Sequence, residues 1–252
     1  MPSEIQIIPV RGIGEIRPGD ALAPLLLDAL VSAGLSLENG DVLVVTQKIV
    51  SKAEGRLVDP ATVEPSAFAE RIAVQGRKDA SYQELVLRES RRIVKMANGV
   101  LITETHHGLI CANSGIDESN VAGGQVVCLL PVDPDASAAN LRSAIRDLTG
   151  TTVAVIISDT FGRPWRDGQV NVAIGCAGLK PLNDFAGVND PYGYTMQVTL
   201  IAVADELASA AELVMGKIDQ VPIAIVRGYA YTPSEEATAQ ALIRDPRFDL
   251  FR

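Results

Sequence analysis

Asp159 is the first residue whose type and place could do chemistry. It follows a run of apolar residues in Ile157-Ser158-Asp159-Thr160-Phe161-Gly162-Arg163. Ligands of open α/β folds gather beyond the carboxyl ends of strands, where a short carboxylate can meet a cation. Thr160 adds a hydroxyl oxygen beside it, and Mg²⁺ and Mn²⁺ prefer oxygen donors. On this pattern alone a metal ligand and a plain Asp-Thr cap or turn weigh about evenly. Asp117 lies in a second polar segment, Ser114-Gly115-Ile116-Asp117-Glu118-Ser119-Asn120. It could hold a cation or a nucleotide, although an exposed acidic loop is the commoner outcome for such a stretch.

Cations accompany these carboxylates. Lys48 and Lys52, four apart after an apolar strand, share a face if the segment is helical, which suits a polyphosphate. A solvated lysine face is the plainer explanation. Arg163 and Arg166 flank Pro164-Trp165, and guanidinium forks match phosphate or carboxylate. Trp165 is the single tryptophan, either core or a platform for a flat ring. His106 and His107 are adjacent and cannot share a helix face. Cys111, Cys128 and Cys176 are scattered and odd in number, which argues for buried apolar thiols over a disulfide or zinc framework.

Several chemistries are absent from the motif record. No G-x-x-x-x-G-K-[ST] loop and no complete G-x-G-x-x-G occurs, and Arg11-Gly12-Ile13-Gly14 supplies two glycines only. No Gly-x-Ser-x-Gly elbow marks a serine hydrolase. A P-loop NTPase and a Rossmann dehydrogenase are both disfavoured. The net charge of −9 excludes general nucleic-acid binding, which needs a basic surface. It leaves room for a phosphorylated small molecule held by a local basic pocket or by metal ions.

The elements that must position these residues alternate in type. Short apolar strands are expected at 4–10, 42–46, 126–130, 152–158, 195–203 and 222–227. The strand at 152–158 should end on Asp159. Helices are expected at 21–33, 65–76, 81–90, 136–148, 205–215 and 234–243. The middle of the chain is strand-rich, at 93–96, 100–105 and 109–112, with Asn98-Gly99 favouring a hairpin. The fold class is therefore α/β with mixed α+β character. The 252 residues suit one domain over 1–252, with room for two subdomains. No basic, apolar leader opens the chain and no apolar run reaches the ~18 residues of a membrane span, so a cytoplasmic protein is expected.

Together these segments resemble the coenzyme F-420-0:γ-glutamyl ligase family. The matching stretches are Pro9-Val10-x-Gly12-Ile13, Gln47-Lys48-Ile49-Val50-Ser51-Lys52-Ala53-Glu54-Gly55-Arg56, Gly115-Ile116-Asp117-x-Ser119-Asn120, Leu129-Leu130-Pro131-x-Asp133-Pro134-Asp135, Ser158-Asp159-Thr160-x-Gly162-Arg163-x-Trp165-Arg166, Asp190-Pro191-Tyr192-Gly193 and Val203-Ala204-Asp205-Glu206. They run in order over nearly the whole chain.

The resemblance implies an unusual α/β fold, neither P-loop nor Rossmann, in a tight homodimer. It implies GTP- and metal-dependent joining of L-glutamate, in one or more γ-linked units, to the phospholactyl carboxylate of F-420-0 through an acyl phosphate. Carried over by residue, Asp117 and Asp159 would hold a first Mg²⁺ or Mn²⁺ and Thr160 a second, with K⁺ as a further candidate ion. GTP contacts would fall on Ile13, Gly14, Glu15 and Ile16, on Gln47, Lys52 and Asn120, and on the loop from Met215, Gly216 and Lys217. The loop is the least natural transfer, because Lys217 stands where a neutral or acidic ligand is expected. Arg163 joins Asp117 and Asp159 as a catalytic candidate from its guanidinium alone, with no family role carried over to it. Some family members carry a C-terminal reductase-like domain, and with the chain stopping at Arg252 that activity is expected to be missing. Two other functions use the same residues: a metal-dependent phosphohydrolase or kinase, and a non-catalytic nucleotide-binding module.

Overall fold

The computed structural model describes residues 4–76, 78–118 and 126–250. Asn120 and Ser119 lie outside them. Its spine is a six-stranded mixed sheet built on two buried apolar strands, β2 (Val42–Thr46) and β8 (Ala154–Arg163). They pair in parallel from Val42↔Ala154 to Thr46↔Ser158. Both read as continuous aliphatic runs because helices cover both faces of the sheet, so neither parity of side chain meets water.

The remaining strands of this sheet pair antiparallel. β1 (Gln6–Val10) pairs with β12 (Ile223–Arg227), and β12 in turn pairs with β2. On the other side β9 (Arg166–Leu179) pairs with β8, and β13 (Pro233–Ser234) adds to β9, giving the order β1-β12-β2-β8-β9-β13.

Helices α1 (Leu22–Ser32) and α5 (Pro134–Thr149) cover one face. Leu26, Leu30, Leu141 and Ile145 pack there on Leu43, Val45, Val155 and Ile157. α5 starts cleanly because the Asp133 carboxylate accepts the Ala136 N–H at 2.9 Å and Pro134 needs no donor of its own. It stops at Gly150, whose φ of 73° is the left-handed cap conformation. Helix α6 (Val203–Met215) covers the opposite face. Its Ala204, Ala208 and Ala211 present small side chains to Val42, Val44, Ala154 and Ile156, so helix and sheet approach closely.

A third cluster forms beside the sheet. Helices α3 (Ala67–Gln75) and α4 (Ala80–Arg88) pack with a three-stranded sheet of β4 (Ser90–Ala97), β5 (Val100–Thr105) and β6 (Ile110–Ala112). Asn98 and Gly99 join β4 to β5 with φ of 53° and 76°, the two positive values that a type I′ turn requires. β3 (Leu57–Val58) and β7 (Val127–Cys128) pair beneath it. Helix α2 (Gln47–Ala53) follows β2 without a loop and confirms the helical spacing of Lys48 and Lys52.

The mixed α/β class is as expected, and three elements differ. β8 does not end at Asp159: it runs on to Arg163 and turns back at Pro164-Trp165 into β9, for which the sequence carried no clear pattern. The segment 195–203 forms strand only at β11 (Leu200–Ile201), paired with β10 (Asn183–Asp184). Val198 there is 87% exposed. Residues 185–189 bond to 195–199 only irregularly, through Gly187 N–H to Met196 O, Met196 N–H to Val188 O and an isolated Asn189–Thr195 bridge, which does not make a regular ladder. In the segment 234–243 Ser234 belongs to β13, and the helical part is a 3₁₀ turn, Ala239–Leu242. Tertiary bonds claim its ends: the Asp135 carboxylate takes the Ala239 N–H at 2.8 Å, and Arg142 grips Glu235 with two bonds of 2.6 and 2.7 Å.

Gly175, on β9, lies against the backbone of Pro134, and a Cβ added there would collide with it. Gly175→Ala should cost about 1–3 kcal/mol, the usual price of overpacking. A denaturant midpoint unchanged from the parent would show that α5 can simply move away.

Candidate functional site

The cleft opens where β2 and β8 part. β2 ends at Thr46 opposite Ser158, then coils into α2, while β8 carries straight on. Asp159 is thus the first residue past the parallel pairing, which keeps it beyond a strand end although its own strand continues. The cleft has a volume of about 1060 Å³. Its walls come from the loop Ile13 to Ile16, from α2, from β6 and the turn to Asp117, from the β8–β9 hairpin, and from the segment Gly216 to Pro222.

Adjacent strand residues point to opposite faces, and here the two faces serve two walls. Asp159 turns toward Cys111 and Asp117, and Thr160 toward β9 and α6. Burial, then the like charge of Asp117, pushes the Asp159 carboxyl up to about 7, against the Thr160 N–H, Lys217 and Lys48, which favour its charged form. Part of Asp159 meets the cleft, but protein surrounds it closely enough for desolvation to dominate. The Cys111 thiol beside it is pushed up to about 12 by burial and by Asp159, leaving it an inert, apolar lining.

Asp117 is held by its backbone, which exchanges bonds of 2.9 and 2.8 Å with Cys128. The turn before it is left-handed at three successive residues, Asn113, Ser114 and Gly115, with φ of 49°, 55° and 69°. Hydroxyls hold that turn: Ser114 Oγ lies 2.8 Å from Ser90 Oγ and 2.9 Å from Thr103 Oγ1. Lys48 Nζ meets Asp117 Oδ2 at 2.7 Å. Lys52, nearly buried, reaches Glu15 Oε1 at 2.5 Å across the cleft mouth. Lys217 Nζ donates to Thr160 Oγ1 at 2.5 Å and lies 3.6 Å from Glu212 Oε1.

Most of the residues singled out by sequence therefore converge. Ile13, Gly14, Glu15, Ile16, Gln47, Lys52, Asp117, Asp159, Thr160, Gly216 and Lys217 all line this one cleft. The Gln47 side chain is turned inward, its Oε1 accepting from Ser51 Oγ at 2.8 Å. Met215 is fully buried in the core beneath α6 and does not reach the cleft. Arg163 folds back on its own hairpin, donating to the Asp167 and Gly168 carbonyls, outside the lining. Trp165 is 81% exposed, which removes the core reading for it. Both histidines are spent on carbonyls, His106 on Arg88 and His107 on Pro131, each at 2.8 Å. The three cysteines are free and buried.

The donor set around Asp117, Asp159 and Thr160 fits a hard divalent ion. Among the described residues no group of three or more His, Cys, Asp or Glu side chains could hold a metal, which disfavours a closed protein cage. Mg²⁺ is usually held by one or two carboxylates plus waters and substrate phosphates, and two carboxylates with a hydroxyl offer that. A bound cation would also favour the charged form of the Asp159 carboxyl, which burial and, after it, the charge of Asp117 disfavour.

The family model for F420-0:Gamma-glutamyl ligase matches residues 12–228. The chain belongs to that family. A protein of Methanothermobacter thermautotrophicus named coenzyme F420:L-glutamate ligase is 44% identical over 250 residues, covering 98% of this chain and 99% of the relative. The protein of the same name in Methanopyrus kandleri is 45% identical over 254 residues, 98% of each chain. That in Methanocaldococcus jannaschii is 43% identical over 217 residues, 86% of each. Membership makes this chain an enzyme of the ligase class, and no helix among the described residues is long and apolar enough to cross a membrane.

Three lining residues of this ligase-family cleft escaped the sequence reading: Gln169, Asn171 and Glu212. Gln169 and Asn171 alternate as polar residues on β9, a signal that becomes readable only once β9 is known to pair with β8.

The Asp159 carboxyl also predicts a pH effect on the ion-free protein. A folded-state value near 7, above the usual carboxylate value, lends stability at low pH that is lost as pH rises toward 7. Asp159→Asn should therefore raise the melting temperature in EDTA, by more at about pH 8 than at about pH 4. A gain independent of pH would show that Asp159 titrates normally.

Proposed function

We propose that the protein joins L-glutamate to the terminal carboxylate of coenzyme F420-0, in a reaction driven by GTP and a divalent metal ion. The observation that carries this reading is the convergence, in a chain of this family, of Asp117, Asp159 and Thr160 with three lysines, two from α2 and one from the segment after α6, in one cleft. Relatives that cover nearly the whole chain bear the name coenzyme F420:L-glutamate ligase.

The chemistry explains why such a cleft is needed. A carboxylate is a poor electrophile at neutral pH. Its oxygen attacks the γ-phosphorus of GTP, GDP leaves, and the acyl phosphate so formed carries a good leaving group. The glutamate amine then attacks the acyl carbon, phosphate departs, and the nitrogen loses a proton to solvent. Both steps bring anions together, so catalysis rests on positioning and charge neutralisation. A bound divalent ion would supply Lewis-acid stabilisation of the transferring phosphoryl group.

The chain's own residues do the rest. Asp117 and Asp159 would hold the ion from one wall and Thr160 would face a second ion from the other. Lys48 and Lys52 project from one face of α2 and would meet phosphate oxygens, exchanging Asp117 and Glu15 for them. The backbone of Ile13 to Ile16 and of Gln47, which lines the cleft, would contact the nucleotide, and Lys217 on the facing segment would close on the phosphates. A homodimer is part of the same proposal; the arm around residues 183–201 exposes Tyr192, Tyr194 and Val198, apolar surface of the kind an interface covers.

Mass spectrometry of F420-0 incubated with the protein, L-glutamate, GTP and Mg²⁺ or Mn²⁺, with and without K⁺, tests the reading. One or more added glutamyl units, dependent on GTP and metal, are expected. GTP hydrolysis without glutamate addition would move the protein to phosphotransfer; neither reaction, from folded protein, would leave a binding module. Asp159→Asn keeps the side-chain volume, removes the charge and should abolish turnover. Lys52→Ala should weaken GTP binding about tenfold, some 1.4 kcal/mol; unchanged affinity by calorimetry would take Lys52 out of the phosphate site.

A further inference from the structure

The Thr160 wall of the cleft contains a hydrogen-bond chain whose direction is fixed. Thr160 and Asn171 are cross-strand partners on β8 and β9, so their side chains leave the sheet on one side. Thr160 Oγ1 donates to Asn171 Oδ1 at 2.7 Å. Asn171 Nδ2 donates to Glu212 Oε2, on α6, at 2.8 Å. Asn171 is only 2% exposed, and its backbone carbonyl accepts from Ser209 Oγ at 2.7 Å, pinning this point of β9 to α6.

The order of donors follows from the chemistry of the end group. A carboxylate accepts and cannot donate, so Glu212 draws the amide nitrogen of Asn171 toward itself. The amide oxygen must then face Thr160, and it takes the single proton of that hydroxyl. A hydroxyl whose proton is committed has only lone pairs left to show. Thr160 therefore presents the cleft with an acceptor alone, the form that a cation requires. The group on that lone pair here is a cation, the ammonium of Lys217.

We propose that Asn171, oriented by Glu212, is a positioning residue that holds the Thr160 hydroxyl as an acceptor-only cation ligand. The proposal rests on the metal-dependent reading above and extends it to two residues that act through Thr160. Without Asn171 the hydroxyl is free to rotate and turn its proton toward the ion. Partners behind metal ligands typically contribute 10–100-fold to metal affinity.

The test is Mn²⁺ binding to the nucleotide-free full chain, followed by the electron paramagnetic resonance signal of unbound Mn²⁺, with circular dichroism to establish folding. Asn171→Leu, close in shape but without the acceptor, should weaken Mn²⁺ binding at least about tenfold. The charge-exchanged pair Asn171→Asp with Glu212→Gln keeps an acceptor facing Thr160 and keeps both hydrogen bonds, with the direction of the second reversed, the new amide donating to the new carboxylate. It should restore affinity to the parent's level, whereas Asn171→Asp alone sets two carboxylates face to face and should not. If Asn171→Leu fails to fold, the pair measured against Asn171→Asp carries the test.

Thr160→Val separates the two levels of the argument. If it weakens binding while folded Asn171→Leu does not, or if the pair is no better than Asn171→Asp, the positioning role is overturned and the metal reading stands. If Thr160→Val binds like the parent, or the parent binds no Mn²⁺, then the assignment of Thr160 as a ligand falls and the proposal goes with it.

Discussion

The parallel pairing of β2 and β8 stops at Thr46 and Ser158, and the cleft exists because of what each strand does next. Up to that rung both strands are locked between helix layers, with Leu43, Val45, Val155 and Ile157 on one side and Val42, Val44, Ala154 and Ile156 on the other. Beyond it β2 winds into α2 and β8 stays extended, so the two backbones separate and nothing apolar fills the gap. Gln47, Lys48 and Lys52 line one bank by belonging to the first turns of α2. Asp159 and Thr160 line the other by belonging to the unpaired side of β8. A shift of one residue in this register would exchange the faces of Asp159 and Thr160 and undo both walls.

Charge is distributed against the average of the molecule. The chain is acidic, at −9, yet three lysines, two on α2 and one after α6, point into this cleft, each on an oxygen: Lys48 on Asp117, Lys52 on Glu15, Lys217 on Thr160. Such pairs are suited to exchange. A polyphosphate offers the lysines stronger partners, and a divalent ion offers the carboxylates and the hydroxyl a stronger one. The cost of keeping Asp117 and Asp159 close in a poorly solvated place shows in the raised Asp159 carboxyl. Burial is the larger cause and the charge of Asp117 the smaller, and a nearby cation favours the charged carboxylate against both.

Rigidity is supplied from outside the cleft. The left-handed turn at Asn113, Ser114 and Gly115 would not persist on its own, since two of its residues are not glycine. The hydroxyls of half-buried Ser90 and buried Thr103 hold it, and they belong to β4 and β5 of the smaller sheet. The smaller sheet thereby aims Asp117, and the six-stranded sheet aims Asp159.

How much of this was legible beforehand depended on whether a residue's role is local. The buried strands 42–46 and 222–227, the Asn98-Gly99 hairpin and the capped start of α5 follow from apolar runs and turn chemistry, which neighbours in sequence decide. Asp117, Asp159, Thr160 and Lys52 could be named because each sits within a motif read along the chain. Asn171 and Glu212 could not, because each matters only through a partner 11 or 41 residues away across a hairpin and a helix packing. The same limit explains the expected helix at 234–243 and the expected strand at 195–203. Their local patterns were sound, but Asp135 and Arg142 claimed the first, and the second meets its neighbour, residues 185–189, in an irregular pairing. Sequence by itself determined the α/β class, the family and the choice of Asp117 and Asp159, which the fold brings into one cleft, since these depend on residue type and short spacing. The tertiary structure alone decided that Asp159 and Thr160 face different walls, that Arg163 turns away, and that Thr160 meets the cleft as an acceptor, because long-range pairing sets where a side chain points.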